Sequence, residues 1–304
     1  MAKARGIVKR RKAVQNIRKI TRTMQLIATA RFQRAFNRAV ATRPYTNKLT
    51  ELVRDLAATQ EEIEHPLLQV NSGTGRSILL VITSNRGLCG GYNAGLLRTA
   101  ASFLRLREQP GEAAQQAGHV VELQVAGKKG IGYFRFMRRP IAATYTHFED
   151  KPQFAEVEPI ADDFIRRYAD GQIDSVHVIY MRFESTARQY PDTLQLLPLQ
   201  PPKGVGEEKP RGKPGMEATV QYDFSPPADE LLAELLPLTV KTRLFQCFTD
   251  AAVSEQVARM VAMKAATDSA GEMLKQLTQA YNRARQTQIT LELLDIVGGA
   301  EALK

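Results

Sequence analysis

The sequence has no tryptophan, only two cysteines, and no acidic residue before Glu51. The two cysteines, Cys89 and Cys247, are too few and too widely spaced for a disulfide-rich secreted fold. No apolar run reaches the roughly 18 residues that a membrane-spanning helix needs. No apolar signal segment opens the chain. Together these absences predict a soluble intracellular protein.

The positive charge is confined to the start of the chain. Residues 1–50 hold 14 of the 42 lysines and arginines, and the other 254 residues carry 28 basic and 32 acidic groups. A basic segment of this kind is compatible with nucleic acid or with an acidic protein surface, and composition alone favours neither. It also mimics an organelle transit peptide, although its composition runs without a break into a helical pattern.

A long helix is predicted near the end of the sequence, from Ala228 to Val297. Its core, Leu238 to Val297, holds 60 residues with no proline and one glycine, Gly271. At 1.5 Å per residue this core would be about 90 Å long. Its seam residues recur in steps of three and four, a pattern that fits either a surface helix of a helical bundle or one strand of a long two-helix rod. They are Val253, Val257, Met260, Met263 (or Lys264), Thr267, Ala270, Leu274, Leu277, Tyr281 and Ala284.

A second long helix is predicted over residues 3–60. Pro44 should bend or locally break it, and Pro237 should do the same near the start of the C-terminal helix. The predicted seam of this first helix is thin and again steps by three and four. It consists of Val14, Ile17, Ile20 (or Thr21), Met24 and Ile27.

Between the two helices the sequence predicts a small α/β domain with a largely parallel sheet. A buried strand over Ser77–Thr83 is followed by a glycine turn and a helix to about Arg107. Further strands are expected at 119–125, 174–183 and 193–199, with a short helix or turn at 130–136 and a helix at 156–168. Residues 200–215, rich in proline and glycine, predict a linker.

The glycine turn lacks the features of a nucleotide site. It has neither the Gly-Lys-Ser/Thr ending of a P-loop nor the G-x-G-x-x-G spacing, so a tight strand-to-helix turn is the better interpretation. Cys89 is more readily a packed thiol than a nucleophile, because the four histidines are scattered. No metal-ligand spacing is present. The sequence thus predicts no cofactor, although a small α/β enzyme with helical arms stays open as a hypothesis.

Four segments resemble the ATP synthase γ subunit family, in family order and at family spacing. Asn16–Met24 is similar to the family's N-terminal motif NTxKITKAM, and Ile82–Asn93 to its central signature T-S-D-R-G-L-C-G-G-[FY]-N. Ser254–Asp268 resembles its C-terminal helix. So does Asn282–Glu292, which is followed by the Ile-Val-Gly-Gly-Ala stretch at 296–300.

The resemblance implies a fold and a domain organisation. Its long terminal helices would form an antiparallel two-helix coiled coil beside a central Rossmann-like α/β domain. The boundaries expected are 1–70 for the N-terminal helix, 75–199 for the α/β domain, 200–225 for a linker and foot segment, and 226–304 for the C-terminal helix.

The resemblance also implies a function. The chain would be a non-catalytic rotor shaft that couples ion-driven rotation of a c-ring to conformational changes of catalytic β subunits. Its expected partners are the α3β3 ring, the ε subunit and the c-ring, without nucleic acid or a cofactor. It would meet the membrane only through the complex, at the cytoplasmic face of a bacterial plasma membrane. The alternative left open by the residues themselves is a basic coiled-coil protein that binds nucleic acid.

Site residues are implied by matching position. Contact with the ring, or helix pairing behind it, is implied for Met24, Arg259, Arg285, Gln286, Thr290 and Glu292. The signature turn is carried by Arg86, Gly87, Cys89, Gly90 and Gly91, and the foot by Tyr222, Phe224 and Ser225. Three residues depart from the family pattern. Asn85 replaces the usual Asp, which removes a charge but keeps a side-chain acceptor for the turn. Arg11 stands where an apolar residue is common, and Ser225 stands where Glu is frequent. Pairing near Arg11 is therefore expected to differ.

Overall fold

The computed structural model describes residues 2–59, 65–71, 73–108, 120–148, 151–199 and 228–301. Two very long helices enclose, in sequence, a set of shorter helices and strands. The helices are α1 (Ala2–Thr59), α2 (Tyr92–Glu108), α3 (Lys128–Phe136), α4 (Phe154–Ala169) and α5 (Ala228–Glu301). The strands are β1 (Arg76–Ile82), β2 (Val120–Ala126), β3 (Ala143–Tyr145), β4 (Ser175–Phe183) and β5 (Gln189–Leu197).

The five strands form one mixed sheet in the order β3-β2-β1-β4-β5. Strand β1 lies at its centre and pairs in parallel with β2 and β4, while β3 pairs in parallel with β2. Strand β5 runs antiparallel to β4. Because both faces of a parallel sheet are covered, β1 is an uninterrupted buried run from Ser77 to Ile82.

The first part of α5 is a core helix of the α/β layer. Its buried residues belong to the same apolar cluster as α4 and strands β1 and β4. Lys241 fixes the contact with α4, because its Nζ donates to Asp162 at 2.8 Å and to Glu158 at 2.9 Å. These hydrogen bonds raise the pKa of Lys241. The α5 residues in the cluster are Leu232, Leu236, Val240, Leu244, Cys247, Phe248 and Ala251.

The chain divides into two compact units, each described here by itself. The helical unit comprises the described residues within Met1–Ala30, Leu88–Gly90 and Gln256–Lys304. The α/β unit comprises those within Arg31–Gly87 and Gly91–Glu255. Helices α1 and α5 each contribute residues to both units.

Most elements agree with the sequence prediction, and the misses are short. Strand β3 has three residues and was not predicted, and β5 begins at Gln189 rather than Thr193. Neither proline breaks its helix: α1 continues through Pro44 and α5 through Pro237. The alternative of a break or restart at these two residues was therefore wrong, and the alternative of a bend stays a prediction. The predicted linker and foot residues, 200–225, lie outside the described residues.

Candidate functional site

The predicted seam of α5 is confirmed in the helical unit. Val257, Met263, Thr267 and Ala270 are buried, and Lys264, the alternative to Met263, is exposed. Val253, the first residue of the predicted series, is buried in the α/β unit. The half-buried positions follow the same steps of three and four as far as Ala284. They are Met260, Leu274, Leu277, Tyr281 and Ala284.

The predicted seam of α1 was wrong at Ile17 and Ile27, and at the position given as Ile20 or Thr21 the threonine is the seam residue. Ile17, Ile20 and Ile27 are 52%, 59% and 48% exposed, whereas Thr21 is half-buried and Ala28 is 1% exposed. Val14 and Met24 are half-buried, as expected. Small residues let two helix backbones approach closely, so the pairing selects Thr21 and Ala28 and leaves the isoleucines on the outer face.

The two helix segments of this unit run antiparallel. Arg11, Arg18 and Thr21 of α1 approach Tyr281, Gly271 and Thr267 of α5, so the residue numbers rise on one helix as they fall on the other. The Arg18 guanidinium lies 3.7 Å from the position that a Cβ on Gly271 would occupy. A Cβ there would make only an ordinary van der Waals contact with the exposed Arg18, so this contact does not require glycine.

Two polar pairs occupy seam positions that an ordinary coiled coil would fill with leucine. The hydroxyl oxygens of Thr21 and Thr267 lie 2.9 Å apart, so one donates a hydrogen bond to the other. The Arg11 guanidinium carbon lies 5.1 Å from the centre of the Tyr281 ring, in cation–π geometry. The expectation that pairing near Arg11 differs from that of the family stays a prediction. The sequence placed a threonine at each of these seam positions, but the hydrogen bond between them was not predicted.

The α/β-unit part of the signature turn is held by a network around Ser84 and Asn93. The Ser84 amide donates to Asn93 Oδ1 at 3.1 Å, and Asn93 Nδ2 donates to Ser84 Oγ at 2.8 Å. The Ser84 hydroxyl also lies 2.7 Å from the Arg86 carbonyl. These bonds fix the strand-to-helix turn through side chains that lie nine positions apart.

Asn85 has a role that aspartate could not perform in full. Its Nδ2 donates to the carbonyls of Phe148 at 2.6 Å and Thr146 at 3.2 Å, while its Oδ1 accepts from the Lys128 amide at 3.1 Å. An ionised aspartate only accepts hydrogen bonds. Predicting Asn85 as a turn acceptor was right for Oδ1 and missed the two donations.

The remaining turn residues show why glycine is needed. Gly90 has φ +56°, in the left-handed region that L side chains rarely adopt. The exposed Leu88 lies in the same region, with φ +64°. Cys89 is 2% exposed and not in a disulfide, which agrees with a packed thiol. Arg86 and Gly91 are exposed and Gly87 is half-buried.

The predicted contact residues fall into two groups. Arg259 is 7% exposed and Met24 is half-buried, so both lie within the helix packing. Arg285, Gln286, Thr290 and Glu292 are exposed on the last turns of α5. There the Thr290 hydroxyl donates to the Gln286 carbonyl at 3.0 Å, and Gln288 Nε2 donates to Glu292 at 2.8 Å. Tyr222, Phe224 and Ser225 lie outside the described residues.

Within the described ranges, no helix has the length and apolar character needed to cross a membrane. The same ranges contain no group of three histidine, cysteine or acidic side chains placed to hold a metal ion.

Comparison with known proteins agrees with this geometry. The family described as ATP synthase matches residues 3–303. The chain is 45% identical to the ATP synthase gamma chain of Rhodopirellula baltica and 40% identical to that of Leptospira biflexa, with full coverage of both chains in each case. The chain therefore belongs to the ATP synthase gamma chain family.

Solved structures show the same fold at low identity. A chain of the Euglena gracilis mitochondrial ATP synthase, solved as OSCP/F1/c-ring, has a TM-score of 0.63 at 15% identity, covering 99% of this chain and 95% of that one. A chain of the Tetrahymena thermophila mitochondrial ATP synthase central stalk and c-ring has a TM-score of 0.54 at 18% identity, covering 81% and 99%. Neither these structures nor the two gamma chains are described as binding nucleic acid.

Proposed function

We propose that this chain is the central rotor shaft of an F1Fo ATP synthase and has no catalytic residues of its own. Membership of the gamma chain family supports the role. The distribution of side chains between the seam and the outer face of the helical unit supports the mechanism. Ile17, Ile20 and Ile27 lie on the outer face of α1 while alanine and threonine occupy the seam. Helix α1 thus presents these three isoleucines to an external surface.

The partner surface that these isoleucines contact is proposed to be the interior of the α3β3 ring. In a shaft surrounded by water, isoleucines that are about half exposed would contribute no further burial energy, whereas a close-fitting ring would bury them. The end of α5 has the same character. Its exposed apolar residues are Ile289, Leu291, Leu293, Leu294, Ile296 and Val297.

The predicted contact residues divide accordingly. Arg285, Gln286, Thr290 and Glu292 are proposed to contact the ring because they are exposed. Met24 and Arg259 are proposed to support the helix pairing behind that contact. The outer faces of α1 and α5 differ in charge and apolar content, so each β subunit would meet a different surface as the shaft turns. A ligand or partner shifts a conformational equilibrium only by its differential affinity for the states, and an asymmetric shaft supplies that difference.

The remaining assignments rest on family resemblance. Residues 1–70 and 226–304 are proposed as the shaft, 75–199 as the α/β domain, and 200–225 as the foot. Tyr222, Phe224 and Ser225 are proposed to meet the ε subunit and the c-ring. The chain would lie on the cytoplasmic face of a bacterial plasma membrane and meet the bilayer only through the complex. It would need no cofactor.

The double substitution Ile20→Ser/Ile27→Ser tests the outer face. Both side chains are about half exposed, so the free energy of unfolding of the isolated chain should change by less than about 1 kcal/mol. In the assembled complex we expect protons or sodium ions pumped per ATP hydrolysed to fall by about fivefold, the effect of roughly 1 kcal/mol of lost contact.

Leu106→Ser is the matched control, because Leu106 is 75% exposed on α2 and outside the shaft. It should leave pumping unchanged. Equal pumping by the shaft variant and the control would contradict the outer-face contact. Failure of the native chain to co-purify with α and β subunits, together with tight DNA binding that weakens steeply with salt, would contradict the rotor function itself.

A further inference from the structure

The C-terminal end of α3 carries an exposed patch that the shaft does not use. We define the α3 patch as Arg135, Phe136, Met137, Arg138 and Arg139, all of which are exposed. Phe136 is 84% exposed, the highest value among the described large apolar residues, and Met137 is 54% exposed. An isolated exposed apolar residue is ordinary, but an aromatic and a methionine among three arginines are not.

The fold does not need Phe136. The inward face of α3 is already filled by Ile131 and Phe134, which are 7% and 2% exposed. The Tyr133 ring packs edge-on against Phe134, with the ring centres 5.3 Å apart. Phe136 follows on the opposite side of the helix and points to solvent.

The turn that follows α3 is strained at a position where glycine is the usual residue. The Arg138 amide donates to the Arg135 carbonyl at 3.0 Å, and the Arg139 amide donates to the Phe134 carbonyl at 2.9 Å. This closure places Arg138 at φ +54°, in the left-handed region.

The same chain closes α4 with the same bonds and a glycine. There the Gly171 amide donates to Tyr168 at 3.0 Å, the Gln172 amide donates to Arg167 at 2.9 Å, and Gly171 has φ +68°. An arginine at the matching position of α3 costs stability that glycine would not. Strain kept at an exposed site indicates that the side chain serves something other than the fold.

The composition of the patch indicates what it binds. Residues 123–148 contain no aspartate or glutamate, so the patch lies in a sequence segment of purely positive charge. Its three cations are all arginines, whose planar guanidinium pairs with carboxylates through two hydrogen bonds. Aromatic residues, methionine and arginine are also the types enriched in protein–protein interfaces, where lysine is depleted. Lysine side chains would bind a phospholipid surface equally well.

We propose that the α3 patch docks an acidic protein surface, with Phe136 inserted into an apolar pocket whose rim carries carboxylates. The arginines steer and orient the partner, and Phe136 supplies the buried anchor. This surface is separate from the shaft face and does not depend on the rotor function.

The test replaces Phe136 with the photo-reactive p-benzoylphenylalanine in the full chain, in membranes of the cells that produce it. The same reagent at Leu106 is the control, because that side chain is similarly exposed beside two arginines. We expect an adduct at 136, absent at 106, whose mapped peptide carries several Asp or Glu residues. Its yield should fall by about tenfold in 0.5 M salt and in Arg135→Ala/Arg138→Gly.

Three results would overturn the proposal. They are no adduct at 136 beyond that at 106, an adduct with lipid, and an adduct with a peptide that lacks acidic residues. A yield that is unaffected by salt and by the arginine substitutions would overturn it as well. Melting curves of each variant confirm that the fold is retained, which is expected because every altered side chain is exposed.

Discussion

Arg167 holds Glu122 through both of its terminal nitrogens, at 2.9 and 2.6 Å, and so ties helix α4 to strand β2. This hydrogen-bonded pairing lowers the pKa of Glu122. Both side chains are only partly exposed, at 20% for Arg167 and 30% for Glu122, so solvent screening is incomplete.

We expect Glu122→Gln to destabilise the α/β unit by about 1–2 kcal/mol at pH 7, since glutamine is uncharged and offers Arg167 one acceptor oxygen in place of two. A carboxyl whose pKa is lowered by folding stabilises the fold above its unfolded pKa and loses that contribution as pH falls through the folded value. The difference between variant and native chain should therefore shrink below about pH 4. Urea unfolding at pH 7 and pH 3.5 measures it, and a difference independent of pH would contradict the pairing.

Asn85→Asp should destabilise the signature turn at neutral pH. The substitution removes both donations to the Thr146 and Phe148 carbonyls and sets a negative charge against them. We expect a loss of about 1–3 kcal/mol in the free energy of unfolding. Protonation restores one donor, so the loss should decrease in acid. Asn85→Ser, which keeps a small neutral donor, is the control and should lose less at neutral pH.

Gly130 and Gly132 provide a matched pair within α3. A Cβ on Gly130 would lie 2.7 Å from Thr83 Oγ1 and 2.8 Å from Val125 Cγ1, whereas one on Gly132 meets nothing within 4 Å. Gly130→Ala should therefore cost about 1–3 kcal/mol through overpacking. Gly132→Ala should stabilise by up to about 1 kcal/mol through helix propensity. Thermal unfolding of the two variants checks the prediction, and a shift of the same sign in both would contradict it.

Arg138 and Gly171 give a second pair, at the ends of two helices. Arg138→Gly should stabilise the chain by about 0.5–1 kcal/mol, because glycine adopts the left-handed conformation without strain. Gly171→Ala should destabilise it by about 1 kcal/mol for the same reason in reverse. The midpoint of chemical unfolding reports both. If Arg138→Gly instead lowered stability, the arginine would have to make a stabilising contact of its own.

Periodicity in the sequence identified the two long helices and the α5 seam, because a repeat of three and four maps directly onto one helix face. On α1 it was only partly right, because two stripes of residues fit the same period. Ile17, Ile20 and Ile27 follow the period as well as Thr21 and Ala28 do, and the period alone does not reveal which stripe packs inside. Close backbone approach decided in favour of the small residues, and that depends on the partner helix.

The signature turn was located from the sequence, but only some of the hydrogen bonds of its side chains were predicted. A side chain such as Asn85 can both donate and accept, and its partners at 128, 146 and 148 are distant in sequence. Strand β3 was missed because three residues carry too little periodic signal. The α3 patch was missed because exposure is a property of the folded surface, and its arginines read as ordinary surface charge.

The burial of both cysteines has a practical consequence for site-specific labelling of this chain. Cys89 and Cys247 are 2% and 1% exposed, and burial raises the pKa of the Cys247 thiol well above its usual range. Because both side chains are buried out of reach of a reagent, neither native cysteine should compete for a maleimide dye. A cysteine introduced at Leu106, which is 75% exposed, should then be labelled selectively. Fluorescent recording of single molecules can begin from the natural sequence, with no need for a cysteine-free background.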